Sequence, residues 1–132
     1  MNLTDAIKIN VDKNKFKEVF LNLIENAVTY SPPESTIEIS TKTTHDQNDN
    51  LDELKILISD QGQGIPEDKQ AKIWQRFYKL DKARKRDNKE GSGLGLSIVK
   101  EIIDKHEAEI EVKNNPEKSC TFTITLEGDN LL

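Results

Sequence analysis

The apolar positions of this chain follow two different rhythms. From Lys13 to about Tyr30 the residues Phe16, Val19, Phe20, Leu23, Ile24 and Ala27 recur at three- and four-residue steps, the period of a helix with one buried face. Asp12 stands at the N-cap position and Ser31-Pro32-Pro33 ends the run. A second long helix is predicted from Leu94 to His106, where Ile98, Val99, Ile102 and Ile103 share that spacing, and a short one from Glu67 to about Trp74. The other rhythm is alternation. Ala6 to Val11 sets Ile7, Ile9 and Val11 on one side, which predicts a short strand. Ile37, Ile39 and Thr41 form one further strand and Leu54 to Ser59 its partner, joined by a solvated connection over His45 to Asp52. Ile110 and Val112, a turn at Asn114-Asn115-Pro116, and Phe122, Ile124 and Leu126 read as a hairpin. Asp81 to Ser92 is polar and is expected to be a mobile loop. The order β-α-β-β-α-loop-α-β-β predicts an α/β fold, a two-layer sandwich whose mainly antiparallel mixed sheet carries its helices on one face.

Composition narrows the class. A chain of 132 residues fits one domain, and 34% hydrophobic against 33% charged residues leaves a modest core. Nineteen Lys and Arg against 24 Asp and Glu give a net charge of −5, which argues against nucleic acid or anionic lipid as a partner. Apolar runs such as Val19-Phe20-Leu21 and Ile56-Leu57-Ile58 fall far short of the roughly 20 residues of a membrane span. No basic and apolar leader follows Met1. The single cysteine, Cys120, cannot form an internal disulfide, which fits a reducing compartment.

Three patterns carry candidate chemistry. Glu18, Asn22, Asn26 and Tyr30 are spaced by four and form a polar stripe beside the apolar face of the first helix. Glu18 alone reads as ordinary surface, but asparagine gains nothing mid-helix unless its amide is used, and its oxygen is a hard ligand suited to Mg²⁺. Asp60-x-Gly62-x-Gly64 follows a strand. Two glycines there make little more than a turn, but a carboxylate at the strand's end can accept a hydrogen bond from an exocyclic amino group such as that of adenine. Gly91-x-Gly93-x-Gly95 opens a helix, so free N–H groups and the helix dipole face whatever sits above the turn, and phosphate is the natural occupant. The glycine spacing and the preceding Lys82 to Glu90 segment differ from the dinucleotide fingerprint, and no G-x-x-x-x-G-K-[ST] loop or eukaryotic-type kinase signature occurs. Of the basic residues Arg76, Lys79, Lys82, Arg84, Lys85, Arg86 and Lys89, most read as solvated, with one or two near the turn clamping a terminal phosphate. Trp74 and Phe77 read as packing residues, His106 as structural and His45 as exposed.

These residues together resemble the motifs of bacterial sensor histidine kinases. Asn22-Leu-Ile-Glu-Asn26-Ala-Val-Thr-Tyr30-Ser-Pro resembles their N box, Asp60-Gln-Gly62-Gln-Gly64-Ile-Pro the G1 box, Trp74-Gln-Arg76-Phe77-Tyr-Lys79 the F box, and Gly91-Ser-Gly93-Leu-Gly95-Leu-Ser-Ile-Val-Lys the G2 box. The four stand in family order over roughly Lys15 to Leu126. The resemblance implies the Bergerat-type ATP-binding fold of gyrase, Hsp90 and the mismatch-repair ATPases, with ATP and Mg²⁺ as ligands. It implies that Asn26 ligates the metal with Asn22 beside it, that Tyr30 packs on adenine, and that Asp60 receives its amino group over Gly62 and Gly64. Arg76 and Lys79 would reach the phosphates, Gly91, Gly93 and Gly95 would close over them, and Ile65, Phe77, Leu94 and Leu96 would line the pocket. Asn22, Asn26 and Arg76 are the implied catalytic residues.

Hydrolysing members of that superfamily carry Glu at the Asn22 position; an amide is a poor base, which favours phosphoryl transfer over hydrolysis. Thr29 stands where the family has Lys or Arg, His106-Glu-Ala replaces His-Gly-Gly, and Ser119-Cys120-Thr-Phe replaces a Gly-Thr-Thr-Phe-like turn. Neither His45 nor His106 has the context of the phosphorylated histidine. The chain therefore reads as the ATP-binding catalytic domain alone, and the resemblance implies the cytoplasmic part of a longer, usually membrane-anchored sensor kinase, a monomer that would act on a separate dimerisation and histidine phosphoacceptor domain and, indirectly, on a response regulator. A non-catalytic nucleotide-binding module and a serine kinase of the anti-sigma type are the competing readings.

Overall fold

The computed structural model describes residues 8–62, 64–75, 95–114 and 119–131. Helix α1 spans Lys13–Tyr30, and the Asp12 side chain caps it by accepting from the Lys15 amide at 3.1 Å. Phe16, Val19, Leu23 and Ala27 are its buried stripe, as the period predicts. Ser31, extended and followed by two prolines, stops it. Helix α2 covers Gly95–Lys105 and buries Val99, Ile102 and Ile103.

Among the described residues four strands form one sheet in the order β1-β2-β4-β3: β1 is Glu38–His45, β2 Leu51–Asp60, β3 Glu109–Asn114 and β4 Cys120–Glu127. Every pairing is antiparallel, so the mixed sheet expected from the sequence is antiparallel throughout its described residues. Directly paired residues share a face, and the face under the helices is a series of rows: Leu54 with Leu126, then Ile56, Ile124 and Ile110, then Ile58, Phe122 and Val112. All of these are buried, and α1 lies on β2 while α2 lies on β3. The opposite face is largely polar, with Ser59 and Thr121 sharing a 2.8 Å hydrogen bond and Lys113 lying near Glu111. One apolar and one polar face give a two-layer sandwich.

Three local expectations change. Ala6 to Val11 is not a strand in the described residues; Ile9 makes one isolated antiparallel bridge to Leu131, since three alternating apolar residues do not by themselves supply a partner. The short helix is a single 3-10 turn, Glu67–Lys69, followed by further turns. The connection after His45 is shorter than predicted and built rather than loose. Asp46 Oδ1 accepts from the Asn48 and Asn50 amides at 2.8 and 3.0 Å, and these bonds, Asn50 first, hold its carboxyl below the ordinary value. The Asp81 to Ser92 segment and the Asn115-Pro116 turn lie outside the described residues.

α2 ends in a Schellman arrangement: the Ala108 amide donates to Ile103 O at 3.1 Å and the Glu107 amide to Asp104 O at 3.0 Å. Glu107 takes the left-handed conformation this demands, with φ 56°. A side chain there costs about 1 kcal/mol relative to glycine. Glu107→Gly is therefore expected to raise stability by about that amount, read as a higher urea midpoint at unchanged slope. Beside this turn His106 is structural, as expected. Its Nε2 accepts from the Asp12 amide at 3.0 Å, which leaves Nδ1 to donate to Ile102 O at 2.9 Å, and its ring meets Phe16 edge to face. Asn130 Nδ2 donates to His106 O at 2.8 Å, and the Asn10 amide to Asn130 O at 2.7 Å.

Candidate nucleotide-binding site

The apolar rows of the sheet stop at one end, where the next row is Asp60, Cys120 and Asn114. Asp60 is the one buried charged residue among those described, 5% exposed. Burial raises its carboxyl above the ordinary value, and the Gly62 amide, donating to Oδ1 at 2.8 Å, opposes part of that rise. The carboxylate is thus tied on one oxygen by the turn that follows it. Cys120, buried beside it, has its thiol pushed up to about 12 by burial and then by the Asp60 charge, so it is inert as a nucleophile near neutral pH.

Beyond Gly62 the chain turns at Gly64 with φ 80°, a conformation that favours glycine. The sequence predicts this turn but not what fixes it. Asn114, read there as a turn residue, grips Ile65 at both backbone groups: the Ile65 amide donates to Oδ1 at 2.8 Å, and Nδ2 donates to Ile65 O at 2.7 Å. Gln70 Nε2 gives that carbonyl a second bond at 3.0 Å. No sequence signal marks the pair, because the partners lie 49 residues apart.

The N-box stripe meets the second helix. A Cβ built on Gly95 would lie 3.3 Å from Asn22 Oδ1, so the amide of Asn22 sits directly against the first residue of α2. A side chain at Gly95 would press on that amide by a few tenths of an ångström, and the contact places an amide oxygen beside a helix N-terminus whose N–H groups attract anions. Asn26, half-buried, follows one turn later on α1, and Tyr30 is the last residue of that helix. Ile65 is buried in the core and Leu96 packs against it. The structure therefore gathers Asp60, Gly62, Gly64 and Ile65 at the sheet end, and Asn22 with Gly95 between the helices. Arg76, Phe77, Lys79, Gly91, Gly93 and Leu94 lie outside the described residues. Trp74 is a packing residue, as expected, edge-on to Phe122 with centroids 5.9 Å apart. No group of three or more His, Cys, Asp or Glu side chains among the described residues could hold a metal ion.

A buried carboxylate at the end of an antiparallel sheet, a glycine turn locked beneath it and an amide-lined helix junction define a class of nucleotide-binding α/β sandwich. The chain belongs to the family of histidine kinase-, DNA gyrase B- and HSP90-like ATPases, whose family model matches residues 11–130. Its relatives within that family include sensor kinases. It is 39% identical over 123 residues to the sensor protein kinase WalK of Staphylococcus haemolyticus, covering 93% of this chain and 19% of that protein. It is 37% identical over 119 residues to the signal transduction histidine-protein kinase ArlS of Staphylococcus aureus (strain USA300), covering 89% of this chain and 25% of that protein. Among solved structures, the mycobacterial sensor histidine kinase MprB superimposes with a TM-score of 0.75 at 26% identity, covering 93% of this chain and 78% of that one. The chain thus spans about a fifth to a quarter of the length of these curated relatives. No helix among the described residues is long and apolar enough to cross a membrane.

Proposed function

We propose that this chain binds Mg-ATP and donates its γ-phosphoryl group to a histidine on a separate dimerisation and phosphoacceptor domain, from which a response regulator is charged. The observation that carries the reading is the contact of Asn22 with Gly95 at the start of α2. An amide held at that junction can orient a phosphate or a metal, but it cannot take a proton from water as a carboxylate does, so the γ-phosphoryl is kept for another nucleophile.

In this reading Asp60 accepts the exocyclic amino group of adenine, and the turn through Gly62 and Gly64 supports the base. The amide oxygens of Asn26 and Asn22 are hard donors on one face of α1, and they fit a magnesium ion that takes most of its ligands from phosphates and water. Bound with ATP, such an ion would neutralise charge on the phosphate oxygens. The N-terminus of α2 faces the same charge, Arg76 and Lys79 reach the terminal phosphates, and Tyr30 packs on the base. A cytoplasmic location and a monomeric chain complete the reading.

The isolated chain is expected to bind ATP yet hydrolyse it far below the roughly 1–100 s⁻¹ typical of kinase turnover, for want of a base and of its acceptor. Adding a histidine-bearing hairpin from a homologous kinase should give an acid-labile phosphoprotein on that hairpin. An acid-stable product would instead favour serine phosphorylation. Nucleotide binding without any transfer would favour the non-catalytic module, which the loss of a basic residue at Thr29 supports. Brisk hydrolysis by the isolated chain after repurification would overturn the kinase reading.

A further inference from the structure

We propose that Asn114 is a positioning residue for base recognition, fixing the distance between the Asp60 carboxylate and the glycine turn beneath the base, and so setting the preference for adenine over guanine. The inference rests on the reading that Asp60 receives an adenine ring. Asn114 need not touch the nucleotide. Its amide pairs with the Ile65 backbone at 2.8 and 2.7 Å, as a neighbouring strand would, so the turn after Asp60 is held to the end of β3 as though it were one more strand.

Two further observations support a positioning role. Asn114 pairs with Cys120 and Cys120 with Asp60, so clamp and carboxylate stand in one row of the sheet and share one rigid frame. A Cβ on Gly64 would lie 2.7 Å from Asn114 Oδ1, closer than real Cβ contacts come. The second glycine of the motif therefore has a role that spacing alone does not suggest: it leaves room for the Asn114 amide. The clamp requires the glycine. Without the clamp the Ile65 amide, at a buried residue, loses its partner and the turn gains freedom. A pocket with a loose floor still holds a triphosphate, but it no longer holds the base at the height where a carboxylate distinguishes an amino group from a carbonyl.

The test is the ratio of dissociation constants for ATP and GTP, measured by calorimetry on the full chain and on the Asn114→Ala, Asn114→Asp, Gly64→Ala and Gly64→Ala/Asn114→Ala variants. Asn114→Ala is expected to weaken ATP roughly tenfold and GTP little, so that the ratio collapses by about the same factor. Asn114→Asp keeps an acceptor for the Ile65 amide but sets a carboxylate oxygen against the Ile65 carbonyl, where Nδ2 donates at 2.7 Å, so it should weaken ATP at least as much as Asn114→Ala. It also carries the test if the alanine variant does not fold. Gly64→Ala should cost less ATP affinity in the Asn114→Ala background than alone. Equal losses for ATP and GTP in the variants, or strict additivity of the two substitutions, would overturn the positioning role while leaving Asp60 in place. A wild-type chain that binds ATP and GTP alike would overturn adenine recognition itself, and the clamp's role with it.

Discussion

Asp60→Ala is expected to lower ATP affinity by one to two decades while the domain remains folded. The carboxylate is buried at the end of β2, with one oxygen occupied by the Gly62 amide and no described partner that would make it an ion pair. Losing a charged hydrogen-bond acceptor from such a pocket costs about 1.5–3 kcal/mol of binding. The fold loses little, because a buried carboxylate without a cation is itself costly. Calorimetry on the folded variant checks the affinity, and unchanged binding would remove Asp60 from the site. The raised titration of Asp60 adds a pH signature. Between the ordinary carboxylate range, near 3.9, and its raised value, the unfolded chain has released a proton that the folded chain still holds. Stability from this group therefore falls as pH rises through that window and is level above it. Asp60→Asn should flatten the slope. ATP affinity runs the other way, rising with pH as the acceptor ionises.

The second large effect is expected at Asn26. Replacing it by alanine should weaken Mg-ATP binding by roughly 10–100-fold, the range seen when groups that organise a metal are removed, and should scarcely change binding of ATP in excess chelator. The contrast is the measurement. Equal losses with and without Mg²⁺ would mean that Asn26 only shapes the pocket wall. Asn22, already in contact with the start of α2, should show a smaller metal dependence and a larger effect on how the helix end is placed.

Where the sequence could be read, the reason is local. α1 carries an apolar stripe over five turns with a capping aspartate at its start, and β4 alternates strictly through Cys120, Phe122, Ile124 and Leu126, so period and burial agree. Local pattern misleads where a segment depends on a distant partner. Ile7, Ile9 and Val11 alternate as a strand does, yet what Ile9 finds is a bridge to Leu131 at the far end of the chain. Glu67 to Trp74 offers too few residues to show whether a turn continues into a helix. The candidate site divides in the same way. Asp60, the glycines and the asparagine stripe are legible because their spacing is local, whereas the Asn114 clamp and the Asn22–Gly95 contact are made only by folding.

The His106 junction also has a mechanical consequence. Residues 9–12 and 128–131 are held side by side by the Ile9–Leu131 bridge, the Asn10–Asn130 bond and the bonds to His106. The Asp60 row lies at the opposite end of β4, which at about 3.4 Å per residue is roughly 24 Å away. A load applied through the two flanks pulls on one corner of the sandwich. That corner is remote from the hydrogen bonds around Asp60. The Asp60 row is then the far end of a lever of that length, and the Ile9–Leu131 bridge and the His106 bonds are the first to resist a pull on the flanks.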